Sequence, residues 1–157
     1  MFVYSLRAST LRFFGVIAVS LAVLVTLITL VPTHAADGSE QTASYNYERV
    51  KSEDDAENFL AQFGWVVDAT PVETVQVTIP SEFDKIFSAY NEIQKEQGLN
   101  LLKYKNKKVT RYTYEVKNYE GYDGTVYANV LVYRNRVIGG DVCSADVSGF
   151  VHGFEGK

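Results

Sequence analysis

Nineteen consecutive residues without a charge, positions 13–31, constrain this chain more than any other feature. At a helical rise of about 1.5 Å per residue they reach nearly 30 Å, the thickness of a hydrocarbon core. Arg7 and Arg12 precede the run, and the first charges after it are Asp37 and Glu40. The excess of positive charge on the N-terminal side predicts that residues 1–12 stay in the cytoplasm while everything after the span lies outside. Thr33-His34-Ala35 before Ala36 offers a small residue that a signal peptidase could accept, so secretion after cleavage near Ala35 is the alternative. Signal-peptide cores usually run about 7–15 residues, and this longer run reads as a retained single-pass anchor.

The remainder of the chain carries 13 basic against 19 acidic residues, a mildly acidic balance that gives no reason to expect nucleic acid. Cys143 is the one cysteine, so no internal disulfide can staple the domain and the fold must rest on its core. Residues 32–51 are polar and aperiodic and read as a linker. Residues 52–157 then supply enough chain for one small extracytoplasmic domain.

Ser52 and Asp55 have capping-box spacing, and Ala56, Phe59, Leu60 and Phe63 recur at helical period before Gly64. Val75, Val77 and Ile79 alternate with polar residues as in a half-buried strand that Pro80 ends. Ser81 and Asp84 repeat the capping pattern for a second helix, with Phe83, Ile86, Phe87, Tyr90 and Ile93 along one face and Gly98 as its stop. From Leu99 the chain reads as β: a short stretch at 101–104, a turn at Asn106-Lys107, then alternating runs at 111–116, 126–133 and 137–143. Residues 118–124 are loop chemistry, and a tight turn falls near Asn135. The expected fold is α+β: an antiparallel sheet of four to five strands, a meander in its C-terminal half, with both amphipathic helices packed on one face. Leu131, Tyr127 and Tyr133 lie opposite the valine face of their strand, which marks that strand as central, its second face partly covered or offered to a partner.

Several runs carry a family resemblance: FLAQFGW at 59–65, IPSEFD at 79–84, YNEIQKEQG at 90–98, RYTYEV at 111–116, VIGGDVCS at 137–144 and GFVHGF at 149–154. Together they resemble a family of uncharacterised exported or membrane-anchored proteins of Gram-positive, clostridia-like bacteria, a domain of unknown function. The resemblance implies an extracytoplasmic placement and a small α+β fold, and it brings no catalytic residues.

Residues 139–154 concentrate the reactive side chains: Asp141, Cys143, Asp146 and His152. A thiol beside an imidazole could serve as a nucleophile, so Cys143 and His152, with Asp141, are the catalytic candidates. The plainer roles are packing for the cysteine and a local hydrogen bond for the histidine. The same four side chains could form a coordination set, but no pair has familiar metal spacing, so no metal is expected, and no motif implies a cofactor. Gly139-Gly140 inside a strand suggests a bulge or a close approach, with a side chain such as Trp65 filling the gap. Lys103, Lys105, Lys107, Lys108 and Arg111 form a basic hairpin interleaved with Tyr104 and Tyr112, suited either to protecting a sheet edge or to meeting an anionic polymer or lipid surface. Tyr127 and Tyr133 are candidates for a recognition surface.

Three function classes follow. The first is a non-enzymatic binding or accessory module at the outer face of the membrane, meeting an envelope protein or anionic polymer through the sheet or the 119–124 loop. The second is a thiol-dependent enzyme or redox-active protein using Cys143 with His152. The third is an inhibitor- or sensor-like domain with a cystatin-like outline, an analogy of architecture alone.

Overall fold

The computed structural model describes residues 44–146 and 148–156. The expected membrane span at 13–31 and most of the linker lie outside these described residues. Helix α1 (Glu53–Ala61) is followed by strand β1 (Glu73–Thr78), helix α2 (Lys85–Glu96), a 3-10 turn (Leu101–Tyr104), and strands β2 (Lys108–Val116), β3 (Val126–Tyr133), β4 (Arg136–Ser144) and β5 (Val151–His152). One five-stranded sheet runs in the order β1-β2-β3-β4-β5 with every neighbour antiparallel.

Local chemistry accounts for the helix starts. The Ser52 hydroxyl accepts from Asp55 N, and Asp55 returns the bond to Ser52 N, closing the capping box. These bonds, led by one from the Lys51 backbone, hold the Asp55 carboxyl below its ordinary range. Asp84 rather than Ser81 caps α2, accepting from Phe87 N at 2.7 Å, so the helix begins a turn later than the sequence pattern suggests. The stretch 101–104 is a 3-10 turn, not a strand. Asn100 caps it, and the Asn91 side chain holds Leu101 N at 2.8 Å from α2. Arg134 and Asn135 both take positive φ between β3 and β4, as a two-residue primed turn requires.

Packing begins earlier than residue 52. Tyr45 stacks on Phe63 at 4.0 Å, Tyr47 meets Phe59 at 5.4 Å, and Val50 is buried. Backbone bonds from Val137 N to Tyr47 O and from Val50 N to Asn135 O fix the segment. Tyr45 and Tyr47 sit in a stretch without helical or strand repeats, so the sequence pattern of the linker does not announce this packing.

The two helices cover opposite faces of the sheet, which corrects the expected one-sided arrangement. Tyr112, Tyr114, Ala128, Val130 and Val142 share one face and pack with Ala56, Phe59 and Leu60 of α1. Val77, Val109, Leu131 and Ile138 lie on the other and pack with Phe83, Phe87 and Tyr90 beside α2. The physical reason is that β3 is apolar on both sides, so one layer of helix cannot dry it. Ile86, expected on the inward face of α2, is 81% exposed; polar Asn91 and Gln94 are buried instead.

Ile138 is an extra residue on β4 opposite the Leu131/Val132 step, a bulge that carries the glycine pair. A Cβ on Gly140 would overlap the Asn129 carbonyl oxygen and the Phe154 ring. The gap is therefore filled by Phe154, not by Trp65, because Trp65 lies farther along the tail and donates from Nε1 to Phe154 O at 2.7 Å.

Candidate functional site

On the face under α2 the register aligns three polar residues across three strands. Thr113 of β2 lies opposite Asn129 of β3, and Asn129 lies opposite Asp141 of β4. Thr113 Oγ1 donates to Asn129 Oδ1 at 2.8 Å, and Asn129 Nδ2 donates to Asp141 Oδ2 at 3.0 Å. From above, the Tyr90 hydroxyl donates to Asp141 Oδ1 at 2.7 Å. Asp141 is 6% exposed, and each of its oxygens takes one strong donor while retaining capacity for another. Such a network survives in an apolar layer because its members satisfy one another.

Burial, and then the neighbouring Asp141 charge, push the Tyr90 hydroxyl well above its ordinary range. The same two causes push the Cys143 thiol up to about 12, against a weaker lowering by Asn129, whose Nδ2 lies 3.6 Å from Sγ. Cys143 is thus a protonated, partly buried thiol at neutral pH.

A cleft of about 340 Å³ opens beside this row between α2 and the sheet. Val77, Ile79, Phe87 and Leu131 give it apolar walls, while Asp141 and Arg111 bring opposite charges to it. Arg111 pairs through Nη2 with Glu73, the β1 residue directly across from Thr113 of β2, and its Nε has no partner although shut off from water.

The expected Cys143–His152 pair is not formed. Val142 lies opposite His152 and Cys143 opposite Val151, so the thiol and the imidazole fall on different faces of the sheet. The nine-residue separation that suggested proximity closes a strand pair whose alternation keeps the two apart. His152 instead joins an aromatic tier on the α1 side. Its ring lies nearly parallel to Phe150 (10°), Phe150 stacks on Tyr119 at 4.7 Å, and Tyr119 is parallel to Trp65 (6°). Gly153 O, which can only accept, lies 2.6 Å from Nδ1, so Nδ1 carries the proton and Nε2 accepts from the Tyr119 hydroxyl at 3.0 Å. Asp146 is elsewhere again, in the loop after β4, bonded by the Tyr122 hydroxyl. The four side chains weighed as a coordination set are therefore dispersed over three places.

The basic stretch is no hairpin. Lys103 lies in the 3-10 turn, Lys105 and Lys107 in the turn that follows, and Lys108 begins β2; all four are exposed, and Lys105 sits over the Phe83 ring at 5.4 Å. β2 is an interior strand paired with β1, so these lysines do not protect a sheet edge. Arg111 belongs to the cleft and not to that group. Tyr127 and Tyr133 share the α2 face, but six residues separate them along β3, about 20 Å. Tyr133 packs on Tyr104 and not on the cleft.

Two members of the site, Tyr90 and Asn129, had no sequence signal strong enough to single them out. Asn129 carries one in hindsight: it is the polar interruption of a strand that is otherwise apolar on both faces.

The segment that forms these elements, residues 59–142, matches the model of a family described as "Domain of unknown function (DUF4830)". The chain belongs to the DUF4830 family. The match ends at Val142, so it takes in α2, the cleft and the polar row, while the tail that carries His152 lies beyond it. No curated protein and no solved structure matches the chain. The DUF4830 segment therefore contains every side chain of the cleft named above.

Proposed function

We propose that this domain is a non-enzymatic binding module, held at the outer face of a bacterial membrane by the N-terminal apolar segment, and that it takes a small ligand in the cleft beneath α2. The observation that carries this reading is the cleft's composition. Apolar walls surround two charged groups, one of them a buried carboxylate fixed by two neighbouring side chains, Tyr90 and Asn129. Sites of this kind bury a ligand's apolar body and orient it by a few polar contacts. The placement of Cys143 and His152 on different faces of the sheet favours this reading over a thiol-dependent enzyme that uses the two together.

The test is a fragment library screened by ligand-observed NMR against the full-length chain in detergent micelles, alongside a Leu131→Trp variant that fills the cleft. Fragments that bind the parent and are lost on filling support a cleft ligand. Fragments that bind both equally, or no binding at all, would overturn it.

A second reading has its own observation. Lys103, Lys105, Lys107 and Lys108 are exposed together with Leu102, which is 42% exposed. Four cations beside an apolar side chain suit an anionic lipid surface or wall polymer. Sedimentation with anionic vesicles, lost at high salt and on replacing the four lysines with glutamine, is the expected result; sedimentation indifferent to both changes counts against it.

A further inference from the structure

We infer that the ligand of the cleft is a small zwitterion, a free amino acid with an apolar side chain, its carboxylate held by Arg111 and its ammonium by Asp141. This deepens the cleft-binding reading above and rests on it.

The inference starts from unused bonding capacity. Arg111 Nε is withdrawn from water and bonds nothing, while Nη2 of the same guanidinium is occupied by Glu73. That nitrogen is closed to a water-sized acceptor, so a ligand in the cleft meets the guanidinium through its remaining N–H groups. The acceptor that a guanidinium recognises best is planar and anionic, a carboxylate. Asp141 presents the complementary need. Its oxygens accept from Tyr90 and Asn129, both neutral donors, so the negative charge has no cationic partner among its hydrogen bonds. An ammonium supplies that partner.

Spacing and volume restrict the molecule that can satisfy both. Arg111 stands on β2 opposite Leu131, and Asp141 on β4 opposite Asn129, so the two charges start two strands and two residues apart, about 12 Å at the backbone. Both side chains nonetheless line the one cleft. Between them Leu131 contributes an apolar floor, with Val77, Ile79 and Phe87 around it. A cleft of about 340 Å³ lies at the lower end of small-molecule sites, suited to one residue-sized ligand and not to a long peptide. A singly charged fatty or aromatic acid would bring Asp141 no cation, and an amine would bring Arg111 no second anionic acceptor beside Glu73.

The experiment is calorimetric titration of the full-length chain in detergent micelles with leucine and phenylalanine, both enantiomers of each, and with their N-acetyl and C-amide derivatives. Blocking the ligand probes each charge without touching the protein, so a variant that fails to fold cannot obscure the result. Free amino acids are expected to bind, with N-acetylation and amidation each weakening binding tenfold or more. Asp141→Asn should erase the discrimination against N-acetylation, and Arg111→Gln that against amidation, each at unchanged circular dichroism. Equal binding of blocked and free ligands, or no binding of any of them, overturns the inference. If neutral fragments still bind and are lost in Leu131→Trp, the cleft remains a binding site for a different ligand class; if they do not, both proposals fall.

Discussion

The Tyr90 hydroxyl donates to Asp141 Oδ1 at 2.7 Å, joining the inward face of α2 to a strand that the sequence separates from it by 51 residues. Removing that oxygen by Tyr90→Phe leaves the carboxylate one donor short inside the apolar layer. A hydrogen bond to a charged group contributes about 1.5–3 kcal/mol, and chemical denaturation of the full-length chain should report a loss in that range. A loss below about 0.5 kcal/mol would show that Asp141 is held by Asn129 and solvent alone.

Cys143 gives a reading of the same cluster that needs no unfolding. With its thiol pushed up to about 12, first by burial and then by Asp141, little thiolate exists at neutral pH. Alkylation by iodoacetamide should be slow at pH 7 and rise with pH without a plateau through pH 10. Asp141→Asn removes a raising cause and should accelerate the reaction at every pH. A fast reaction with a plateau below pH 9 would contradict the burial of this thiol beside a carboxylate.

Alkali should unfold the domain. Three of the groups with raised values are acids that the fold buries and keeps neutral: Tyr90, Tyr114 and Cys143, against ordinary values of 10.0 for tyrosine and 9.0 for the thiol. For Tyr114 the leading cause is burial, and its hydroxyl donates to Glu53 O at 2.7 Å. The unfolded chain loses these protons first, so the stability they contribute is complete below about pH 9 and falls as pH climbs beyond it. Melting temperature measured from pH 7 to 11 should decline in the upper part of that range and should decline less in Tyr114→Phe.

Much of the fold was legible because its signals are local. Ser52 with Asp55 specifies a capping box, and the valine alternation from Val126 to Val132 specifies a strand. The turn near Asn135 follows from residues that tolerate positive φ. The placement of α2 was not legible, since Ile86 and Ile93 fit its apolar stripe by period while tertiary contacts select Gln94 and Asn91 instead. Gln94 Oε1 accepts from Gly140 N at 2.8 Å, a bond made possible by a bulge that no spacing rule announces. The site was half legible: Asp141, Cys143 and Arg111 are reactive residue types, but their association with Tyr90 depends on which face α2 covers. The separation of Cys143 from His152 was not legible for a related reason, because nearness along a hairpin says nothing until the pairing register fixes the faces.

The glycine pair separates bulge from close approach. Gly140→Ala places a methyl against the Asn129 carbonyl and the Phe154 ring, both fixed, and should cost about 3 kcal/mol, the upper end for overpacking. At Gly139 the same methyl meets Gln94 and Leu101 side chains at 3.0 Å, which can yield, so the loss should be smaller. Parallel urea denaturation of the two variants checks the order, and the reverse order would contradict the position of Phe154.

Ligand-induced shifts of assigned methyl resonances in the full-length chain test the binding proposal most directly. With leucine or phenylalanine as titrant, shifts concentrated on Val77, Ile79 and Leu131, absent from Val50 and Val126 across the sheet, are the predicted result. Shifts scattered over both faces, or confined to Leu102 beside the exposed lysines, would contradict it.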